Sequence, residues 1–184
     1  NELQKQGKYL DAAEMYEKSV DAEKVSPAPR VEELAVALST TGYCYYLIGQ
    51  YDKALKYYEE ALAIARKLGQ EDKVATSLNS IGMVYDSWGQ FDKAIKYYEE
   101  ALAINKRLGK EDGVALCLNN IGQVYDSWGQ YDKAIKNYEE ALAIDKRLGR
   151  EADVARGLNN IGGVYLSWGQ YDKAIKYYEE SLAI

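Results

Sequence analysis

The string G-Q-[Y/F]-D-K-A begins at Gly49, Gly89, Gly129 and Gly169, a step of 40 residues each time. Self-similarity at a period of roughly 20–50 residues is the mark of an array built from one supersecondary unit. Such a unit cannot bury its apolar face alone, so neighbours must stack on it. An array of this kind has no buried catalytic centre by default, and its function lies on its extended surface.

Composition narrows the class further. The chain has 184 residues, 47% hydrophobic and 28% charged, the balance of a folded rather than a disordered chain. Its formal net charge is −6. That argues against nucleic acid, whose binders carry basic patches. No apolar run approaches the ~20 residues needed to cross a bilayer, and no N-terminal signal pattern is visible. The chain opens at Asn1 without an initiator methionine, as a fragment or a processed chain would. Histidine is absent, which removes the commonest general base and the commonest transition-metal ligand together. Cys44 and Cys117 fall at different points of their repeats. They are expected to be separate, partly buried thiols, which suits a reducing, cytoplasmic setting.

Each period reads as two helices. In A-T-S-L-N-S-I-G-M-V-Y-D-S-W, Leu78, Ile81, Val84, Tyr85 and Trp88 recur at three- and four-residue spacing, an amphipathic helix of type A. Gly89-Gln90 breaks it. A type B helix follows over about residues 91–108, with Ala94, Ile95, Tyr98, Ala101, Leu102, Ile104 and Leu108 on a stripe wide enough to need neighbours on two sides. Asp52, Asp92, Asp132 and Asp172 fall in the first turn of the B helices, where a carboxylate meets the positive helix end. Gly69, Gly109 and Gly149 follow the last apolar residue and suit a left-handed cap, with Lys/Arg pairs just before them.

The opening stretch from Gly7 aligns with a B helix, but the step to Gly49 is 42, and Pro27 and Pro29 sit in the longer connection. The expected organisation is one repeat domain over 1–184. A partial repeat occupies 1–26, full repeats occupy 31–70, 71–110 and 111–150, and a last repeat, 151–184, stops within its B helix. The middle copies agree at most positions, as recent duplication or deliberate regularisation would leave them.

The segment N-S-I-G-M-V-Y-D-S-W-G-Q-F-D-K-A-I-K-Y-Y-E-E-A-L-A-I resembles the tetratricopeptide repeat, and the likeness covers nearly the whole chain. The family's packing positions appear as Gly82, Tyr85, Ala94, Tyr98 and Ala101, recur one period later, and recur two periods later as Gly162, Tyr165, Ala174 and Tyr178. The usual proline after helix B is replaced by Lys106 or Lys146, and helix B runs on. This extended form is similar to the repeats of kinesin light chain and of the spindle-polarity adaptors. The resemblance implies an all-α fold, a right-handed superhelical solenoid of antiparallel helix pairs, whose A helices line a concave face that holds a peptide or protein segment.

Carried onto this sequence, that face is Ser39, Tyr43 and Tyr46, then Thr76, Asn79, Met83 and Asp86, then Leu116, Asn119, Gln123 and Asp126, then Arg156, Asn159, Gly163 and Leu166. Asn79, Asn119 and Asn159 form a ladder of amides, each with a donor and an acceptor for a peptide backbone. The same residues could instead satisfy neighbouring backbone groups or face water. Tyr43, Tyr46 and Met83 are candidates for apolar anchoring pockets, or for packing between repeats. Asp86 and Asp126 make the middle of the face acidic, and Arg156 is its one basic residue. A segment with neutral or basic polar groups and some apolar anchors is therefore expected, not an acidic tail.

No chemistry is expected, and no cofactor or metal. The pairs Glu59-Glu60, Glu99-Glu100, Glu139-Glu140 and Glu179-Glu180 do not converge as catalytic carboxylates must. A solvated outer face with one-turn Lys–Glu pairs, such as Lys56 to Glu60, explains them. Asp86 and Asp126 alone fall short of the six or more oxygens that calcium takes. A second functional reading is structural. Tyr9, Ala12, Ala13 and Tyr16 of the first helix, and Ala174, Ile175 and Tyr178 of the last, lack the usual cover. Such ends support end-to-end association of copies, as a scaffold or a regularised array without a natural ligand.

Overall fold

The computed structural model describes residues 2–25 and 30–184, and these form nine α-helices. Pro27 and Pro29 lie outside the described residues. Two compact units are formed, 1–89 and 90–184.

The first unit contains α1 (Glu2–Lys24), α2 (Val31–Leu47), α3 (Tyr51–Lys67) and α4 (Glu71–Ser87). Helix α2 packs on α1 and α3, and α3 on α4. The second contains α5 (Phe91–Arg107), α6 (Glu111–Ser127), α7 (Tyr131–Arg147), α8 (Glu151–Ser167) and α9 (Tyr171–Leu182), each packed on the next. Helices α2, α4, α6 and α8 are the A type, and α3, α5, α7 and α9 the B type.

Three-residue turns between helices force neighbours to run antiparallel. The turn after α6 shows how. Gly129 takes φ +73°, a conformation that L side chains rarely adopt. Its N–H donates to the Asp126 carbonyl, and the N–H of Gln130 donates to the Tyr125 carbonyl. This pair of bonds closes the helix end and redirects the chain within one turn. The same pair recurs after α7, where Gly149 has φ +69°. At the other ends no side-chain cap is present on α2 to α9. Acidic first-turn residues such as Asp52 and Asp132 take that place by facing the positive helix end.

Packing within each unit rests on small residues set against aromatic rings. Gly122 of α6 lies against the Tyr138 ring of α7, where an added Cβ would come within 2.9 Å of ring carbons. Gly162 meets Tyr178 in the same way, and Gly42 meets Tyr58. Behind these contacts, Ile135, Tyr138 and Leu142 of α7 pack with Val154, Leu158, Ile161 and Val164 of α8. The B helix is thus covered on both sides, by α6 and by α8.

A second set of contacts ties α1 to its neighbours. Glu17 accepts hydrogen bonds from the hydroxyls of Tyr45, at 2.9 Å, and Tyr57. The two rings stack 5.6 Å apart, and Lys53 lies 4.6 Å over Tyr45. The hydrogen bond from Tyr57 outweighs burial and holds the Glu17 carboxyl below its ordinary value. Burial and the bond to Glu17 push Tyr45 up to about 12. Tyr165 and Tyr177 repeat the stack at 5.5 Å, with Lys173 over Tyr165. In α7 the corresponding residue is Asn137, which turns back to donate to the Lys133 carbonyl.

Two expectations are corrected, the bare alanines and the one-turn ion pairs, while Ile175 is exposed as expected. Ala13 and Ala174 are buried rather than bare, Ala13 on a helix packed against α2 and Ala174 on one packed against α8. Ile175 sits at the position that faces onward, and it is 55% exposed where Leu55 is 8% and Ile135 is 7%. The carboxylates of Glu60 and Glu180 pair with Lys24 and Lys146 of the preceding B-type helix, not with the lysines one turn earlier.

Two glycine substitutions separate these roles. Gly7 has nothing within 4 Å of an added Cβ, so Gly7→Ala should stabilise by up to about 1 kcal/mol through helix propensity. Gly122→Ala should lower the melting temperature, because overpacking the Tyr138 ring costs about 1–3 kcal/mol and outweighs the propensity gain. Calorimetric melts of the two variants should shift in opposite directions.

Candidate functional site

Residues three and four apart share a helix face, and this places the sequence candidates in two sets. In the first unit, Tyr43 and Tyr46 lie on α2, with Asn79, Met83 and Asp86 on α4. In the second, Asn119, Gln123 and Asp126 lie on α6, with Arg156 and Asn159 on α8.

Tyr43 is 49% exposed and stacks on Tyr46 at 6.3 Å. The Tyr46 hydroxyl meets Ser87 Oγ at 3.0 Å, and its ring lies 6.2 Å from Tyr51, which lies 6.1 Å from Trp88. These rings form an aromatic ridge along the turn edge of the unit. Asn79, Met83 and Asp86 are half-buried. Burial raises the Asp86 carboxyl above its ordinary value, and Asp126 in the second unit is raised for the same reason.

The three asparagines differ in their surroundings. Asn79 is half-buried and has a partner. Asn119 is half-buried, with its Oδ1 shut off from solvent and accepting no hydrogen bond from a described residue. Asn159 is exposed. Arg156 is exposed and donates to Asp153 Oδ1 at 2.6 Å.

An apolar concavity of the first unit, lined by none of Tyr43, Tyr46 and Met83, lies toward the starts of α2 and α4. A cleft of about 250 Å³ opens between α2 and α4 over α3. Ala61 and Ala65 form its floor, Ala35, Val36, Ser39 and Thr40 line one wall, and Lys73, Thr76 and Ser77 line the other. Of these, only Ser39 and Thr76 belong to the residues read from the sequence.

One period on, the floor residue Ala65 becomes Asn105, and two periods on Asp145. Asn105 is buried, donates to Cys117 Sγ at 3.6 Å and abuts Gly113, where an added Cβ would come within 2.5 Å of it. Asp145 is 2% exposed, and burial pushes its carboxyl up. Asp153 and Asp112 add to that rise, while Arg150 and Arg156 oppose it. Arg150 itself is paired with Asp112 and reaches Asp153 at 3.9 Å. The signal that would have pointed to this position was the one series along the B helices that reads Ala, Asn, Asp in an otherwise copied array.

Asp145 supplies a pH-dependent test. A folded-state value above the unfolded one means that the ionised form is the disfavoured partner of folding. Stability from this group is present below its unfolded value, near 3.9, and is lost as pH rises through the raised one. Asp145→Asn should therefore raise the melting temperature at pH 7, and the difference from the parent chain should vanish near pH 3.

The tetratricopeptide repeat profile matches residues 3–67, 33–107, 73–147 and 129–184. Among solved structures, BtubC (BKLC) from P. vanneervenii is similar at 31% identity and TM-score 0.83, over 98% of this chain and 74% of that one. A putative kinesin light chain with nearly identical TPR-like repeats from Podosopora anserina is similar at 20% identity and TM-score 0.80, over 98% and 88%. The Rap conjugation gene regulator of the plasmid pLS20, solved in complex with the Phr* peptide, is similar at 20% identity and TM-score 0.76, over 96% of this chain and 48% of that one. No sequence match to a protein of curated function was found.

Proposed function

Because the chain belongs to the tetratricopeptide repeat family, we propose that it is a non-enzymatic interaction module whose A-type helices hold a peptide or protein segment. The observation that carries this reading is the exposure of large apolar residues on those helices. Tyr43, Leu116 and Leu166 are each about half exposed, at 49%, 51% and 50%. In the second unit, Leu116 and Leu166 share α6 and α8 with polar residues that can bond a backbone, Gln123, Asn159 and Arg156. Apolar anchors set among polar groups are how a surface gains both affinity and register. A protein of the same fold, the pLS20 regulator, was solved with a peptide bound, which supports the reading.

Cytoplasmic placement is part of the proposal and rests on the buried free thiols of Cys44 and Cys117. Among the described residues no helix is long and apolar enough to cross a membrane.

The test is selection of binders from a displayed library of random peptides, followed by calorimetric titration. Selected peptides should lose about tenfold in affinity to a chain carrying Asn119→Ala and Asn159→Ala, the scale of two lost hydrogen bonds. Affinity unchanged within error would remove both asparagines from the site.

The exposed Ile175 favours a second reading, self-association through the terminal helices. Sedimentation velocity over a wide concentration range should then show growth that Ile175→Lys abolishes. A monomer at the highest concentration removes this reading.

A further inference from the structure

The α2–α4 cleft differs from its counterpart in the second unit in a way that specifies an occupant. We propose that it receives one aliphatic side chain of the bound segment, that a carboxylate of the same segment pairs with Lys73, and that Ala65 is the residue that opens the cleft. This rests on the peptide-binding reading above and names which chemistry that reading requires in the first unit.

The cleft is apolar although hydroxyl residues line it. Ser39 Oγ donates to the Ala35 carbonyl at 3.0 Å, Thr40 Oγ1 to Val36 at 3.0 Å, and Thr76 Oγ1 to Asp72 at 3.0 Å. These three hydroxyls are spent on their own helices, so the threonines offer methyl groups beside Val36 and the two floor alanines. A space of about 250 Å³ is below the range of cavities that take whole drug-sized ligands, and it suits a single branched side chain. Val36, 60% exposed at the wall, is apolar surface that such a side chain would cover.

Charge selects what accompanies that side chain. Lys73 forms no ion pair with a described residue. It also lines the adjoining cleft with Glu32 and Glu33, but neither carboxylate pairs with it. Glu32 Oε1 accepts from Gln70 Nε2 at 2.6 Å, and Glu33 pairs with Arg30 at 2.6 Å. An ammonium at the rim of an apolar cleft, in no direct ion pair with a described residue, is complementary to a carboxylate. This reverses, at the start of α4, the basic preference read from Asp86 and Asp126.

In the second unit charged side chains stand at the same place. Asp145 stands where Ala65 does, Asp153 where Lys73 does, and Arg156 where Thr76 does, and these three with Arg150 form a charged network. A near-copy of the scaffold has charged side chains where the first unit has space.

N-acetyl-leucine carries both features and is the probe, followed by amide chemical shifts of the whole chain. It should shift Val36, Thr40, Thr76 and Ser77 and leave α6 to α8 unmoved. N-acetyl-leucinamide, which lacks the carboxylate, should bind about two- to fivefold more weakly, the scale of one exposed ion pair, and Lys73→Gln should remove that difference. Ala65→Asp, the side chain that α7 itself carries, should weaken binding about tenfold or more, the scale of one buried aliphatic group. Ala65→Leu, which fills the cleft, should do the same, and circular dichroism checks that both variants fold. Shifts that persist in both variants, or that spread equally over both units, overturn the cleft. Library-selected peptides that bind Ala65→Asp as tightly as the parent chain also overturn it, while leaving the peptide-binding reading intact. If no peptide is selected from any library, that reading fails and the segment as occupant fails with it, even where N-acetyl-leucine still binds.

Discussion

At the ends of α6 and α7 the chain must reverse within three residues, and a residue with positive φ makes each reversal. Gly129 and Gly149 show the arrangement, with two backbone hydrogen bonds closing the helix behind each of them. Everything else in a unit depends on it. The reversal sets α6 against α7 in one register, and only in that register does Gly122 come beneath the Tyr138 ring. A residue with a Cβ at the turn would be strained there, and a residue with a Cβ at 122 would meet the ring. Backbone conformation and side-chain volume thus specify the same geometry independently.

The repeated frame leaves only a few positions free to differ, and those positions carry the chemistry. Ala65, Asn105 and Asp145 occupy one place on successive B helices, and the consequences run from open space to a buried amide to a buried carboxylate. Helix α7 tolerates its carboxylate because Arg150 and Arg156 offset part of the cost. Burial of that group is a local expense borne by a frame whose core is mainly apolar.

Much of this was legible in the residues. The helix limits follow from apolar spacing and glycine punctuation, so α5 ends at Arg107 close to where the pattern stops. The Gly–Tyr packing was legible as alternating small and large positions. Less legible was which face of a terminal helix is covered. Ala174 and Ile175 are adjacent and both apolar, yet one faces its own A helix and the other faces outward. Asp145 reads as a solvated residue near a helix end, and only its neighbours in space reveal that it is enclosed. The cleft over Ala65 was invisible for a simpler reason. It consists of what small side chains leave empty, and absence of volume has no periodicity.

Within each unit the helices pack mainly on the ones that precede and follow them in the chain. Contacts of short sequence separation can form while the rest of the polypeptide is still unstructured. Each helix emerging from a ribosome therefore finds its first partner already made, and the unit can be assembled in the order in which it is synthesised.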